Sequence, residues 1–380
     1  TMRRLLPLLC GLLLAACGQR AARPIGDFTL PVYTPRYASG FEITGAAGSR
    51  STLVTVHNPW YGDEVTDQYL FIARDGEPAP AGFEGQVLRD EARRVVCMSG
   101  SYIAMLDALG AADRVVGVSG AQYLINETLR RRIARGEAAD VGFDSNVDFE
   151  RLMALRPDLV MLFGIGGADT ALTGKLRELG IPYLYMGEHC EESPLGKSEW
   201  VVVAAEIAGL RTEGSRLFAA IPERYERLRA LAQQTAARPR VMLNTPYRDT
   251  WFMPARNSYM VRLLEDAGAR YVFEENTATQ TLPIDIEQAY YLTSKSDFWL
   301  NVSGCNTLDE VRRQNPRLAD TPPVREGRVY DNNRRRNAAG GSDFWESGVL
   351  RPDRVLADLV HIFHPELSET DELYYYRQLE

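Results

Sequence analysis

The feature that most constrains the fold is a long amphipathic segment near the middle of the chain, from Thr212 to Thr235. Its apolar residues recur at spacings of three and four, the pattern of a helix with one buried face. They are Leu217, Phe218, Ile221, Tyr225, Leu228 and Ala232. Pro222 has no N–H to donate, so we expect the helix to kink or restart there. The segment predicts a helical spine between two lobes with a cleft opposite it; a surface helix inside one large domain is the alternative.

Apolar strands alternate with helices on both sides of this segment, which is typical of an α/β fold with mainly parallel sheets. Before the spine, we predict strands at 95–99, 115–118, 159–162 and 183–186, and helices at 102–109, 127–135, from 148, and at 171–179. After it, we predict strands at 241–243, 298–300 and 329–330, and helices at 259–267, 285–293, 308–313 and 352–363. The acidic, tyrosine-bearing tail from Glu366 is expected to be peripheral.

Residues 24–92 instead alternate apolar and polar positions between glycine-rich turns, which indicates antiparallel strands at 41–44, 53–56 and 68–72. We interpret this segment as a β-rich N-terminal elaboration of the first lobe. The predicted organisation is a leader at 1–16, a tether and β-rich segment at 17–92, an N-terminal α/β lobe at 93–211, a connecting helix at 212–237, a C-terminal α/β lobe at 238–365 and a tail at 366–380.

The first residues predict export. Arg3 and Arg4 precede an apolar run from Leu5 to Ala16 that is too short to span a bilayer, as in a secretory leader. The run ends in Leu14-Ala15-Ala16-Cys17, which resembles the lipobox of bacterial lipoproteins. That resemblance implies that the leader is cut before Cys17 and that Cys17 carries lipid chains, which would tether the protein to the periplasmic face of the inner or outer membrane. A plain leader with a chance cysteine is the alternative.

Charge and cysteine content limit the function classes. The 51 acidic residues outnumber the 43 basic ones, which argues against general nucleic-acid binding. Cys97, Cys190 and Cys305 follow the lipobox without CxxC spacing, so we expect buried, unpaired thiols, although two of them could pair. The four histidines are scattered and do not predict a zinc site.

Taken in order, several segments resemble the substrate-binding proteins of bacterial ABC importers for cobalamin, haem and ferric siderophores. The segments are 95–109, 115–118, 147–164, the spine, 241–268, 284–303 and 343–364. The resemblance covers roughly residues 93–365, and residues 24–92 lie outside it. It implies two α/β lobes joined by one long helix, a ligand held between them, and a permease dimer in the inner membrane as partner. No enzymatic activity and no cofactor are implied.

The resemblance places candidate ligand-binding residues after strands that face the cleft. They are Ser101, Tyr102, Tyr123, Phe143, Tyr247, Arg248, Trp251, Arg334, Arg335, Arg336 and Trp345. Aromatic rings offer rigid area to a bulky ligand, and arginines offer bidentate charge to an anionic one. The sequence departs from better-defined relatives in having no clear histidine or tyrosine pair for haem iron; His189 is the one histidine expected near the cleft, in a structural role.

The two halves also repeat one tetrad, Val-Asp-Phe-Glu ending at Glu150 and Ile-Asp-Ile-Glu ending at Glu287. In the resembled family, a glutamate on each lobe docks into arginine pockets of the permease, and these two match by position. Acids near a helix N-terminus are also favoured by its dipole, which is the plainer explanation.

A metal-dependent enzyme on the same two-lobed fold, a chelatase or a metal-cluster oxidoreductase, is the alternative function. It would use Cys97, Cys190 and His189 as ligands, but their spacing gives no sign of a cluster. A free-metal receptor would need several converging histidines or carboxylates. We therefore predict a binding protein with no metal site of its own and no catalytic residues.

Overall fold

The structure is a computed structural model that describes residues 22–60, 66–164, 170–248, 250–368 and 372–380. The leader and Cys17 lie outside these residues. An N-terminal sheet comes first, in the order β1-β2-β3-β4-β5, with β5 parallel to β4 and the other pairs antiparallel. Its strands are β1 (Leu30–Tyr33), β2 (Phe41–Gly45), β3 (Thr52–His57), β4 (Asp67–Ala73) and β5 (Gln86–Arg89). The three predicted strands are confirmed.

The N-terminal sheet is buried on both faces, because alternate side chains enter different clusters. Val54 and Val56 join the main core shared with the first lobe. Leu53 and Phe71 pack beneath Phe28 in a small cluster of their own. The sheet is therefore an integral layer of the first lobe.

The first lobe contains a fully parallel sheet in the order β10-β9-β6-β7-β8. Its strands are β6 (Val95–Cys97), β7 (Val115–Val118), β8 (Ala139–Asp140), β9 (Leu159–Phe163) and β10 (Tyr183–Met186). The helices up to the spine are α1 (Gly100–Ala108), α2 (Glu127–Ala134), α3 (Phe149–Leu155), α4 (Ala171–Leu179), α5 (Pro194–Glu199), α6 (Val201–Ile207) and the spine itself, α7 (Arg211–Ala232).

The second lobe is built around the sheet β14-β11-β16-β17-β18, with an antiparallel sheet β12-β13-β15 beside it that the sequence did not predict. The strands are β11 (Arg240–Leu243), β12 (Pro246–Tyr247), β13 (Thr250–Met253), β14 (Arg270–Tyr271), β15 (Leu282–Ile284), β16 (Phe298–Leu300), β17 (Val329–Asp331) and β18 (Arg377–Gln378). The helices are α8 (Tyr259–Asp266), α9 (Ile286–Ser294), α10 (Leu308–Gln314), α11 (Pro322–Arg325), α12 (Ser347–Leu350) and α13 (Pro352–Phe363).

The spine is one continuous helix with Pro222 inside it, so the helix does not restart at this residue. Pro222 removes one backbone hydrogen bond, but its neighbours Phe218, Ile221 and Tyr225 are buried. Burial of this stripe against α6 and α13 stabilises the helix more than the missing bond costs. The Tyr225 hydroxyl donates to Asp266 at 2.7 Å, which ties the spine to the second lobe.

The C-terminal tail is part of the second lobe, and the expectation that it is peripheral is wrong. Strand β18 pairs antiparallel with β17, and Tyr375, Tyr376 and Leu379 are fully buried. The Asp358 carboxylate on α13 accepts hydrogen bonds from the backbone N–H groups of Tyr374, Tyr375 and Tyr376. The acidic composition of the tail concealed the apolar tyrosine rings that complete the core.

The order of the strands in the first-lobe sheet indicates where the ligand-binding site lies. The carboxyl ends of parallel strands are the usual ligand-binding edge of an α/β sheet. In the first lobe β10 lies at one edge of the sheet and β7 and β8 at the other. The side chains of Gln68 and Gln86 accept from the backbone of β10, so the N-terminal sheet lies beside that edge. We call the side near β10 the N-terminal end of the cleft, and the side near β7 and β8 the far end.

Candidate ligand-binding cleft

An open cavity of about 740 Å³ occupies the N-terminal end of the cleft. Three parts of the chain line it: the N-terminal sheet, the loop after β10, and the second-lobe segments before α8 and β15. The lining residues are Ser39, Gly40, His57, Asn58, Trp60, Gly187, His189, Cys190, Glu191, Glu192, Pro254, Ala255, Asn257, Ser258, Tyr259, Thr279, Gln280 and Thr281. Ligand pockets for small molecules and cofactors typically measure about 300–1,000 Å³, so the cavity can hold a bulky one.

The wall from the N-terminal sheet carries polar groups at the end of β3. His57 Nδ1 lies 3.0 Å from the Asp67 carboxylate, its cross-strand partner on β4. Asn58 follows in the left-handed conformation, at φ 41°, and its buried Oδ1 has no hydrogen-bond partner in the described parts of the chain. The ring of Trp60 packs edge-on against Tyr185, with the centroids 5.7 Å apart.

Two buried carboxylates attach this wall to the first lobe. Glu191 accepts from the backbone N–H groups of Ser39 and Gly40 and from the indole N–H of Trp200. Glu199 accepts from the Tyr33 hydroxyl at 2.7 Å and from three successive backbone N–H groups, those of Arg36, Tyr37 and Ala38. Because five successive backbone N–H groups, from Arg36 to Gly40, donate to these two carboxylates, the segment between β1 and β2 is held firmly without secondary structure of its own.

The first-lobe wall contains His189, which the structure fixes in place. Its Nε2 lies 2.8 Å from the Gly164 carbonyl oxygen, and its ring packs on Phe163 with centroids 4.3 Å apart. Burial lowers the pKa of His189, but the neighbouring Cys190 and Glu188 outweigh it and raise the pKa to about 9. The ring therefore bears a positive charge at neutral pH and has a structural role in this wall.

The second-lobe wall meets the first lobe through α5. The Asn257 amide donates to the Glu192 carboxylate across the cleft. Lys197 on α5 lies under the ring of Tyr259, with its Nζ 4.4 Å from the centroid. Burial lowers the pKa of Lys197. The residues that line this cavity were not among the predicted ligand-binding residues, and His189 was expected near the cleft only in a structural role. Their positions depend in part on an N-terminal sheet outside the family pattern.

The far end brings several predicted residues together. Tyr123 and Phe143 are both 44% exposed, and their ring centroids lie 6.2 Å apart. The loop after β17, residues 332–346, contains the three predicted arginines and contacts the first lobe next to Tyr123. The Asn337 amide in this loop donates to the backbone carbonyl groups of Gln122 and Leu124. Gly341 lies so close to Tyr123 that a Cβ would collide with the Tyr123 carbonyl oxygen.

The three arginines differ in their partners. Arg334 pairs with Glu372 at 3.3 Å, and Arg335 pairs with Asp343 at 2.7 Å while lying over the Tyr374 ring. The Arg336 side chain is exposed and makes no hydrogen bond or ion pair within the described ranges. Arg336 is therefore the arginine that can pair with an anionic ligand without losing an existing partner.

Two other predicted residues are exposed and have no described contact with this group, and a third, Trp345, is exposed within the 332–346 loop itself. Tyr247 and Arg248 lie at the β12–β13 turn, where the guanidinium stacks 5.4 Å from the ring centroid. Trp345 is 56% exposed and packs edge-on against Phe344.

Three predicted contact residues are instead buried, which corrects their assignment. Tyr102 is completely buried and donates its hydroxyl to the Leu162 carbonyl oxygen. Trp251 donates its indole N–H to the Leu243 carbonyl oxygen beneath β13. The Ser101 hydroxyl donates to the buried Glu188 carboxylate at 3.0 Å. Their polar groups are satisfied inside the lobes, so they offer no surface to a ligand.

Glu346 closes the far end between the lobes. Its carboxylate, on the second lobe, accepts from the backbone N–H groups of Ile125 and Asn126 on the first lobe, at 2.9 and 2.6 Å. Gly100 makes room for it, because a Cβ there would lie 3.2 Å from the Glu346 Cγ. Burial raises the pKa of Glu346 to about 7, and the neighbouring Asp343 and Asp107 also raise it, against the two backbone hydrogen bonds.

Glu150 and Glu287 occupy equivalent positions on exposed helices. Asp148 caps α3 by accepting from the Arg151 N–H, and Asp285 caps α9 by accepting from the Gln288 N–H. Each glutamate lies in the first turn of its helix. Glu287 pairs with Arg317 at 2.8 Å.

The described residues contain no group of three or more His, Cys, Asp or Glu side chains that could hold a metal ion. Cys97, Cys190 and Cys305 are free thiols, the first and last of them buried, as the sequence predicted. The metal-dependent enzyme therefore has no converging ligand set in these ranges. Among the same residues, no helix is long and apolar enough to cross a membrane.

Comparison with known proteins supports the two-lobed architecture. A periplasmic haem-binding protein from Pseudomonas aeruginosa aligns with a TM-score of 0.58 at 20% identity, covering 76% of this chain and 98% of that one. The protein RhuT from Roseiflexus sp. RS-1, a periplasmic haem-binding protein in apo form, aligns with a TM-score of 0.57 at 20% identity, covering 72% and 98%. At this level of identity, the likeness shows the fold.

Sequence comparison gives the family. An uncharacterized lipoprotein of Methanocaldococcus jannaschii is 25% identical over 332 residues, which is 81% of this chain and 77% of the relative. A second uncharacterized lipoprotein of the same organism is 22% identical over 330 residues, 83% and 81% of the two chains. The family profile described as periplasmic binding protein matches residues 95–334, which include the parallel sheet of the first lobe, the spine and most strands of the second lobe. The chain therefore belongs to the periplasmic binding protein family.

Proposed function

We propose that this protein is the substrate-binding component of an ABC importer and that it captures a metal chelate, namely a ferric siderophore, haem or a corrinoid. The observation that carries the proposal is the 740 Å³ cavity beside the carboxyl end of β10, open between two lobes of a periplasmic binding protein. Aromatic side chains and Arg336 at the far end suit a bulky anionic ligand.

A ligand screen tests the proposal. Purified protein is heated with a ferric hydroxamate, hemin and a cobalamin at increasing concentrations, with free Zn²⁺ and Mn²⁺ as controls. A chelate that binds the folded state raises the unfolding midpoint with concentration, by RT ln(1 + [L]/Kd) in free energy. Stabilisation by one chelate, followed by calorimetry, is the expected result. Strong stabilisation by the free metals alone would refute capture of a chelate.

For delivery, we propose that Glu150 and Glu287 dock onto the two subunits of a permease dimer in the inner membrane. Each is followed three residues later by an exposed apolar side chain, Met153 and Tyr290, so each helix offers a carboxylate beside an apolar contact. Charge reversal to arginine, at either position, is expected to reduce transport and permease binding and to leave chelate affinity unchanged, because like charges would meet across the interface. Normal uptake by the double variant would reject this role.

For location, we propose that Cys17 anchors the protein by its lipid chains to the periplasmic face of a membrane. The position lies outside the described residues, and the lipobox sequence supports the proposal. Palmitate should label the wild type and not Cys17→Ala. Equal labelling of the two would exclude an anchor at Cys17.

A further inference from the structure

The N-terminal sheet gives the cavity a wall that lies outside residues 95–334, the extent of the family match. His57, Asn58 and Trp60 line the cavity from that wall. The wall is rigid where it meets the first lobe, since Glu191 and Glu199 hold the segment between β1 and β2 through several hydrogen bonds each. A side chain presented from this wall is therefore held in a defined place.

The two histidines of the cavity are bonded differently. His189 is already engaged through Nε2 with the Gly164 carbonyl oxygen, and the charges around it keep the ring protonated. His57 uses only Nδ1, towards Asp67, and its Nε2 has no partner within the ranges that the structure describes. A carboxylate on one ring nitrogen fixes the tautomer, so the lone pair is on the other nitrogen.

We propose that His57 Nε2 binds the metal of the captured chelate as an axial ligand, with Asp67 orienting the ring. The step is the exchange of a weakly held water on the metal for the imidazole lone pair.

This inference rests on the proposed function and narrows its ligand class. An imidazole ligand requires a metal with an open coordination position, and nitrogen donors suit iron and cobalt. A tetrapyrrole complex, such as haem or a corrinoid, leaves its axial positions open. A hexadentate ferric siderophore fills every position on the metal and has none for His57.

The test uses hemin and cobinamide, a corrinoid with exchangeable axial ligands, against a hexadentate ferric hydroxamate. Hemin titrated into the wild type should give the absorption and electron paramagnetic resonance spectra of histidine-ligated iron. His57→Ala should weaken hemin binding at least about tenfold and abolish those spectra. His361→Ala is the matched control, because His361 lies on α13, outside the cavity lining, and bonds Ser368. It should bind as the wild type does.

Two further variants separate ligation from support of the fold. Asp67→Asn should retain binding with a smaller loss and a shifted spectrum, because the amide still accepts from Nδ1–H but increases ring basicity less. His57→Gly should regain the histidine-type spectrum when imidazole is added to the solution. Thermal unfolding monitors whether each variant is folded.

The outcomes distinguish this inference from the proposed function. Equal hemin affinity and an unchanged spectrum in His57→Ala would overturn the inference alone. Binding of the ferric hydroxamate, with no binding of hemin or cobinamide, would overturn it as well and leave a chelate-binding protein. Failure of all three chelates to bind would reject both.

Discussion

The two ends of the cleft are built differently. At the N-terminal end the lobes leave an open cavity of about 740 Å³, where the side chains of Asn257 and Glu192 bond across the cleft. Glu191 and Glu199 at this end join the N-terminal sheet to the first lobe. At the far end, Glu346 and Asn337 of the second lobe bond directly to the backbone of the first.

The difference lies in how completely each carboxylate is satisfied. Glu199 accepts four hydrogen bonds from one short segment. Glu346 accepts two, and burial raises its pKa, with a further rise from the nearby carboxylates Asp343 and Asp107. A buried charge with few donors is costly. The contact at the N-terminal end is therefore permanent, and the far-end contact is weaker and depends on pH.

The largest effect on the free energy of unfolding is expected when the permanent contact through Glu199 is removed. Glu199→Ala leaves the Tyr33 hydroxyl and three backbone N–H groups without their acceptor. Each buried donor left unsatisfied costs about 1–3 kcal/mol, and partial access of water reduces the sum, so the free energy of unfolding should fall by about 4 kcal/mol. Urea unfolding measures it.

The matched control is Glu84→Ala, which removes an exposed carboxylate from a turn of the same N-terminal segment. It should change the free energy of unfolding by less than about 0.5 kcal/mol. Equal effects of the two substitutions would mean that the N-terminal sheet is only loosely attached, and the contrast between the ends would fail.

The sequence predicted regular elements well where one periodic signal decided the outcome. The helix 171–179 and the strand 183–186 coincide with the structure, and the aspartate caps at Asp148 and Asp285 begin α3 and α9. The strand–helix alternation likewise predicted two lobes joined by the spine. Local patterns are sufficient there because the buried face of each element has a fixed period.

The site was predicted less well, because burial is decided by tertiary packing. Tyr102 follows the predicted strand β6, and Trp251 lies on the unpredicted strand β13, but both rings turn into the core, where backbone carbonyls satisfy their polar groups. The cavity wall at His57 depends on residues distant in sequence, in contacts such as Glu199 with Tyr33. The tail was misread because charge around Tyr375 and Tyr376 outweighed their rings in the composition.

A pH titration sharpens the contrast at the far end. The pKa of Glu346 is raised from 4.5 to about 7, so the folded protein holds this proton more tightly than the unfolded chain does. The free energy of unfolding of the wild type, relative to that of Glu346→Gln, should therefore fall by about 2 kcal/mol as the pH rises from about 4.5 to about 7. Thermal unfolding of both proteins across that range gives the difference. A difference independent of pH would make this contact as permanent as the one at Glu199.

The smallest effect concerns whether a ligand in the cavity also reaches the far end. Neighbouring strands lie about 4.8 Å apart, so the strands from β10 to β7 span roughly 14 Å, a distance that a tetrapyrrole with its side groups can cross. Arg336 makes no hydrogen bond or ion pair within the described ranges and would meet an anionic group there, whereas Arg334 is already paired with Glu372. Arg336→Ala should weaken binding of hemin, which carries two propionates, about tenfold, or 1.4 kcal/mol. Arg334→Ala, a substitution in the same exposed loop, should change this affinity less than about twofold.

The effect of Arg336→Ala on hemin affinity should also become smaller at high salt, because exposed charges are screened. Equal calorimetric affinities for the two variants would confine the ligand to the N-terminal end and leave the far end as a contact between the lobes.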